Sequence, residues 1–462
     1  MDDTQFGGRK GAGTDHMLAE LITEQLEHLD DNRAAVAFIS VDLSKAFNRM
    51  AHGHCLRSMA EQGASNQTLN MTASFLENRK MRVKLSGGNY STLRKMPGGA
   101  PQGTKCGNIL FCIATASIHR PESGNWTDSD GSMDDQAIPN SLGLVDLAER
   151  LREDLLSSPL GGYHLDTRMH NKSAVLDYND LGEDQQPRPP HSPPPRWTEE
   201  PISVKKFIDD VTAIEKCDLT SARSTFTTQK ERRDVHAVGC QEFLDTVIEN
   251  AAKIGMVVNP QKTQLLCSTT AINYDVRAYV YVNGEELSSK DNLKTVGFTL
   301  GRRPGAAEQV KAMRRKYGAR CGILRHLKKM DFDTGTLVQI YCSLIRPVME
   351  YSSNAFHTIL TREQSEDIER LQRKALKTIF GQEKPYAASL SESGLERLDE
   401  RRDRLFRSFT EKCYTSNRFS TRWFQERPKS GYPLRRQEKV VQKFAHCDRL
   451  QCAPLYLSLI HI

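Results

Sequence analysis

The chain has no apolar run approaching the roughly 18 residues that span a bilayer, so a membrane is not an expected partner. None of its eleven cysteines forms a Cys-x-x-Cys pair. Neither a zinc ribbon nor a disulfide framework is therefore indicated, and a reducing intracellular compartment, cytoplasm or nucleus, is the simpler expectation. The opening MDDTQFGGRKGAGTD is polar and lacks the apolar stretch of a secretory signal. Evenly spread charge is missing too. The formal net charge of +6 divides into 16 acidic against 7 basic residues over 119–200, a net of −9, and +15 over the rest. A basic body around an acidic segment fits a polyanionic partner, although ordinary surface variation produces the same figure. With 462 residues the chain can hold two to four domains and bury a real core.

What is present is a set of carboxylates on apolar runs. Asp42 closes AVAFISVD, and Asp209-Asp210 sits inside VKKFIDDVTAI. Asp-Asp also occurs at Asp2-Asp3, Asp30-Asp31 and Asp134-Asp135, but only the 209–210 pair has apolar residues tightly on both sides. A carboxylate after a short β-like run belongs at a strand end or a tight hairpin. Two such carboxylates brought together would offer hard oxygen ligands to a divalent ion such as Mg²⁺, and paired metals drive in-line displacement at phosphate. A solvated turn is the competing meaning of Asp-Asp.

Periodicity orders the remaining pieces. Residues 14–29 place Met17, Leu18, Leu21, Ile22, Leu26 and Leu29 at helical spacing, with Thr14 or Asp15 as the cap. A strand follows over 35–43, one or two helices over 54–78, a hairpin over 81–96 turned at Gly87-Gly88, and a helix from about 105. The tract DLGEDQQPRPPHSPPPRWTEE is dense in Pro and acid and marks 119–201 as an insertion, mostly disordered, with one short helix at 142–156. Beyond it come a strand–Asp-Asp–strand hairpin, a helix at 236–254 with Phe243, Leu244, Val247 and Ile248 on its apolar face, and β-rich segments. In these, Asn283-Gly284 predicts a type I′ hairpin. Residues from 305 to about 410 read as basic helices, and 411–462 as a weakly patterned basic tail ending in LSLIHI.

In order, AVAFISVDLSKAF, GGAPQGTKCGNILF, FIDD, GMVVNPQKT and LKTVGF resemble the palm of reverse transcriptases of non-LTR, LINE-like retrotransposons. QFGGRKGAGTDHML resembles the segment before that palm, and IYCSLIRPVMEYSSNAF and RLQRKALKTIFG resemble the thumb and the region after it. The resemblance covers 5–118 and 202–381. It implies an α+β fold, an antiparallel palm sheet backed by helices with a helical thumb, and fingers that are incomplete. The expected boundaries are 1–118 for partial fingers and the first part of the palm, 119–201 for the insertion, 202–304 for the second part of the palm, 305–400 for the thumb region and 401–462 for the tail.

The resemblance also implies chemistry. Asp42 and Asp209 would bridge two Mg²⁺ ions, with Mn²⁺ able to stand in, and Asp210 would support them. Phe47 would be a steric gate against the 2′-OH of ribonucleotides, where a core aromatic is the plainer alternative. Gln102 and Gly103 would begin the loop that contacts template and nucleotide. Lys262 would lie near the triphosphate and Gly297 in the hairpin that grips the primer. Lys311, Arg314, Arg315, Lys316, Arg320 and Arg325 would follow the duplex backbone, although a solvated helix face has the same pattern. Arg9 and Lys10 would add positive charge where the family's triphosphate-binding Arg is missing. RNA template, DNA primer and deoxynucleotides are the implied substrates. Departures include Asn48 and Ala51 where the family has Asp, Gly8 for Phe, and Cys106 and Asn108 for Leu and Pro. Two rival readings remain open: a truncated, catalytically inactive remnant that at most binds nucleic acid, and an unrelated metal-dependent phosphohydrolase.

Overall fold

The computed structural model describes residues 3–30, 34–44, 46–85, 88–96, 98–101, 104–120, 202–219, 223–226, 231–271, 274–424 and 448–458. The expected insertion and its helix at 142–156 lie outside them. The chain forms two compact units. One comprises 43–197 and 246–257 with the first two residues, and the other comprises 3–42, 198–245 and 258–462.

The larger unit is built on a four-stranded antiparallel sheet, in the order Ser203–Phe207, Asp210–Asp218, Ala34–Asp42, Gln264–Thr269. AAVAFISVD becomes the second inner strand because it is apolar on both faces, and its residues are almost all buried. One face sends Val36, Phe38, Ile214 and Leu266 into the main core. The helix Thr14–His28 packs there through Met17, Leu18, Leu21, Ile22 and Leu26. This is the apolar stripe that the spacing predicts. Its cap is not Thr14 or Asp15 but Gly13, with no side-chain hydrogen bond. Asp15 instead turns inward to accept a hydrogen bond from Asn354 Nδ2 at 2.6 Å. On the opposite face Glu215 reaches the first turn of the helix Val238–Lys253, where Gly239 and Cys240 N–H donate to its two oxygens at 3.0 and 2.8 Å. Burial raises the Glu215 pKa and these hydrogen bonds lower it. A carboxylate facing free helix N–H groups supplies charge and acceptors that the sequence around Val238 lacks.

A second sheet runs Glu285–Ser288, Tyr274–Val282, Glu231–His236, Arg223–Phe226, with 231–236 parallel to 274–282. Asn283 and Gly284 have φ of 53° and 82°, and Glu285 pairs with Val282. This is the expected two-residue type I′ turn. A further hairpin joins Asn292–Thr295 to Phe298–Gly301.

The other described elements of this unit, from 307 onward, are helical. Ala307–Lys329 buries Val310, Met313, Tyr317, Cys321 and Leu324. Thr334–Ile340 passes through a π-helical stretch, Tyr341–Ile345, into Arg346–Glu350. Pro347, which cannot donate to the carbonyl one turn back, lies two residues past the end of that widened stretch. Arg362–Phe380 starts at a capping box of Thr361 and Gln364. Order continues beyond the expected start of the tail. Leu398–Tyr414 is a single helix, and Phe406, Phe419, Trp423 and Phe424 are all buried.

In the smaller unit, the expected helices over 54–78 are two, His52–Glu61 and Asn66–Leu76, and Ser65 caps the second by accepting from Thr68 N–H. A two-stranded ribbon follows, pairing Lys80 with Lys95 and Met81 with Arg94. The helix Lys105–Ala114 is capped by Thr104.

Candidate active site

The strand Ala34–Asp42 ends at Asp42, whose register partner on the neighbouring strand is Asp210. Directly opposed residues share one face of a sheet, with Cβ atoms about 4.5–5.5 Å apart. Phe207 pairs with Asp210 across the hairpin, so Ile208 and Asp209 form a two-residue turn. Ile208 has φ of 59°. A positive φ at the first turn position is usually left to glycine, and for a β-branched residue it costs on the order of 1–3 kcal/mol.

The segment before the first helix braces this turn. Phe6 N–H donates to Lys206 O and Lys206 N–H to Thr4 O, both at 2.8 Å, and Gln5 forms a parallel bridge with Lys206. Gly7 then passes against the turn. A Cβ there would lie 2.7 Å from Ile208 Cγ1 and 2.8 Å from Ile208 N. The glycine of QFGG is needed for close approach, a role with no local sequence signal.

Asp210 is held at a pKa of about 6. Burial raises it most, the charges of Asp209 and Asp42 add to this, and the Val296 N–H hydrogen bond and the Lys294 charge oppose it. Three carboxylates thus share one end of the sheet. Asp42 Oδ2 is buried and accepts no hydrogen bond, and Lys262 Nζ forms an ion pair with it at 3.4 Å. NPQKT delivers that lysine. Asn259 N–H donates to Asp42 O at 2.8 Å, and Thr263 N–H closes back on Asn259 O at 2.9 Å. Asp42, Asp209, Asp210 and Lys262, singled out from separate segments, therefore lie together.

The hairpin 292–301 lies over the same end. Thr295 and Thr212 hydroxyls are 3.0 Å apart. Val296 and Gly297 have φ of 40° and 84°. Tyr351 hydroxyl donates to Val296 O, and a Cβ at Gly297 would stand 3.1 Å from that hydroxyl oxygen. Lys294 was not singled out by sequence. It influences both Asp210 and Lys316, whose pKa is lowered by burial first and then by Lys294, Arg320 and Arg315. Lys294 thus links the carboxylates to the cationic helix 307–329.

All six cations predicted on that helix are exposed. Lys311 pairs with Glu308 at 3.6 Å, Arg314 with Asp367 at 3.9 Å, Arg320 donates to Leu344 O at 2.5 Å and Arg325 to Cys321 O at 3.4 Å. Arg315 and Lys316 have no carboxylate partner among the described residues. Arg9 is half-buried, 3.7 Å from Asp3, and Lys10 is exposed.

In the smaller unit Phe47 is 7% exposed and stacked on Phe111, with ring centroids 4.4 Å apart and planes 20° apart. Its carbonyl accepts from Ala100 N–H at 2.7 Å. Gly99, at φ of 89°, passes so close that a Cβ would lie 2.7 Å from that oxygen. His52 Nε2 bonds Gly99 O at 2.8 Å. The loop before PQG is thus fastened to Phe47, while Gln102 and Gly103 themselves lie outside the described residues.

No group of three or more His, Cys, Asp or Glu among the described residues is arranged to hold a metal by side chains alone. The donors at hand are carboxylate oxygens, one of them, Asp42 Oδ2, buried, without a hydrogen bond, and already facing a cation. This fits Mg²⁺, which is bound by one or two carboxylates with water and substrate phosphates completing its shell. No helix of the described residues is long and apolar enough to cross a membrane.

No family model matches the chain. It is 22% identical over 383 residues to a protein of Drosophila melanogaster described as a probable RNA-directed DNA polymerase from transposon BS, covering 82% of this chain and 32% of that protein. The chain thus spans about a third of that relative's length. Among solved structures, telomerase of Candida tropicalis aligns with a TM-score of 0.34 and 10% identity, over 90% of this chain and 52% of that one. Telomerase of Candida albicans aligns with a TM-score of 0.26 and 10% identity, over 88% and 56%.

Proposed function

We propose that this chain, a relative of the retrotransposon-type reverse transcriptases, is the catalytic part of an RNA-directed DNA polymerase that adds deoxynucleotides to a DNA primer on an RNA template. The observation that carries the proposal is the meeting of Asp42 with Asp210 in register, Asp209 on the turn beside them and Lys262 on Asp42. An α+β unit with an antiparallel sheet, carboxylates at its end and a basic helix supports the same reading.

Asp42 and Asp209 would hold two Mg²⁺ ions, or Mn²⁺ in their place, and Asp210 would set the local field. When bound, the metal supplies a more acidic primer 3′-OH and neutralises charge on the leaving pyrophosphate. Lys262 would exchange its ion pair with Asp42 for the triphosphate and offer an Nζ proton to the departing oxygen. The strained turn at Ile208, braced by Gly7, would fix Asp209 in place. The hairpin around Gly297, tied to Tyr351, would position the primer strand, and the cations of 307–329 would follow the duplex phosphates. Phe47 is assigned to sugar selection, Gln102 and Gly103 to template and nucleotide, and Arg9 and Lys10 to added positive charge.

Incubation of the purified chain with Mg²⁺, deoxynucleotides and a DNA primer on an RNA template tests this. Template-directed extension, lost in Asp209→Asn, is the expected outcome. Release of phosphate from nucleotides without primer extension would instead establish a phosphohydrolase. A folded chain that binds the primed template but leaves it unextended would be a remnant.

A further inference from the structure

The smaller unit carries a second cationic surface that the polymerase reading does not use. Residues 79–95 hold six cations, Arg79, Lys80, Arg82, Lys84, Arg94 and Lys95, and no carboxylate. They lie on the ribbon that pairs Lys80 with Lys95 and Met81 with Arg94, with a further bridge between Lys84 and Tyr90. Every described residue from 80 to 90 is exposed.

Alternation along the first strand places Lys80, Arg82 and Lys84 on one face and Met81, Val83 and Leu85 on the other. Cross-strand pairing adds Lys95 and Tyr90 to the cationic face. Arg82 lies over the Tyr90 ring, 4.0 Å from its centroid. Lys80, Arg82, Lys84, Arg94 and Lys95 form no ion pair among the described residues. Lys80 directly opposite Lys95 is a repulsive pair, in a two-stranded ribbon that is marginal without support. An anion between the two lysines removes the repulsion. The other face carries Arg94, opposite Met81, among apolar side chains that are no less exposed, Met81 at 48%, Val83 at 54% and Leu85 at 50%.

We propose that this ribbon binds a single-stranded polynucleotide: phosphates lie along Lys80, Arg82, Lys84 and Lys95, and an unpaired base stacks beside the Arg82–Tyr90 pair. Alternating cations answer the charge of a sugar–phosphate backbone. An exposed aromatic ring and apolar side chains answer base faces, which a duplex hides and a single strand presents. The proposal is independent of polymerase activity, because a chain that binds but does not extend primers keeps the ribbon.

The test is fluorescence anisotropy of labelled single-stranded RNA, single-stranded DNA and duplex with the full chain, across a salt series. Each phosphate contact adds about 0.7 to the slope of log affinity against log salt for a single strand. The Lys80→Gln, Arg82→Gln, Lys84→Gln, Lys95→Gln combination is expected to lower that slope by about 2–3. Tyr90→Ala is expected to weaken binding about 5- to 100-fold with the slope unchanged. Asp209→Asn leaves both properties intact, which separates failure of this proposal from failure of the polymerase reading. An unchanged slope in the folded four-site variant overturns the proposal. So does equal binding of duplex with no effect of Tyr90→Ala. Self-association lost on Met81→Ser and Val83→Ser, without any change in nucleic-acid binding, would make the ribbon a protein interface instead.

Discussion

Gly7→Ala places a methyl group 2.7 Å from Ile208 Cγ1, 2.8 Å from Ile208 N and 3.1 Å from Phe207 C. Ordinary contact begins at 3.4 Å, so against the backbone nitrogen something must yield by about 0.6 Å (3.4 − 2.8). The side chain can rotate away, but the nitrogen cannot. It belongs to the turn whose next residue is Asp209. Overpacking of this kind costs about 1–3 kcal/mol, and a displacement near 1 Å at a reacting group costs about 100-fold in rate. A 10- to 100-fold fall in single-turnover primer extension is therefore expected, with a urea-unfolding loss of about 1–3 kcal/mol. Adding Ile208→Gly removes the Cγ1 clash and the strain at φ of 59°, and should recover part of both losses. Wild-type extension and stability in Gly7→Ala would refute the claim that this glycine braces the turn.

Two further outcomes rest on burial. Phe47→Ala removes a ring that is 7% exposed and stacked on Phe111, and should cost about 3–5 kcal/mol in unfolding free energy. Phe47→Leu keeps most of the volume and should raise the ratio of ribonucleotide to deoxynucleotide incorporation, whereas an unchanged ratio would leave Phe47 a core residue only. Asp210 has a folded pKa of about 6 against a usual 3.8. Between those values the folded chain holds a proton that the unfolded chain has released. Its contribution is fully present below about 4 and is lost as pH rises through 6. The unfolding free energy of the metal-free protein, measured from pH 4 to 7, should contain a falling component that Asp210→Asn removes. A flat difference between the two proteins would show that neither burial nor the charges of Asp209 and Asp42 raise the Asp210 pKa.

Much of the site was legible because local chemistry marked it. AVAFISVD and VKKFIDDVTAI declare strands, and a two-residue turn between strands leaves an Asp-Asp pair little freedom over where it sits. Asn283-Gly284 reported its own turn, since both residues tolerate positive φ. What escaped depends on partners distant in sequence. Gly7 matters only because Ile208 comes within 3 Å of it. Lys294 is one lysine on a four-residue strand, and its place between Asp210 and Lys316 comes from tertiary packing. Glu231–His236 is a polar strand without alternation, and its parallel partner lies some forty residues onward. The expected cap at Thr14 or Asp15 failed for a related reason, since Asn354, far along the chain, takes the Asp15 carboxylate inward.

Asp42 and Asp209 are proposed to act as one unit in nucleotidyl transfer. Single-nucleotide incorporation into a DNA primer on an RNA template, measured for wild type, Asp42→Asn, Asp209→Asn and the double variant, tests it directly. Residues acting as a unit show strongly non-additive losses. Each single substitution should lower the rate by about 1,000-fold or more, and the double variant should be no slower than the worse single. Losses that multiply, or substantial activity in either single variant, would contradict the assignment.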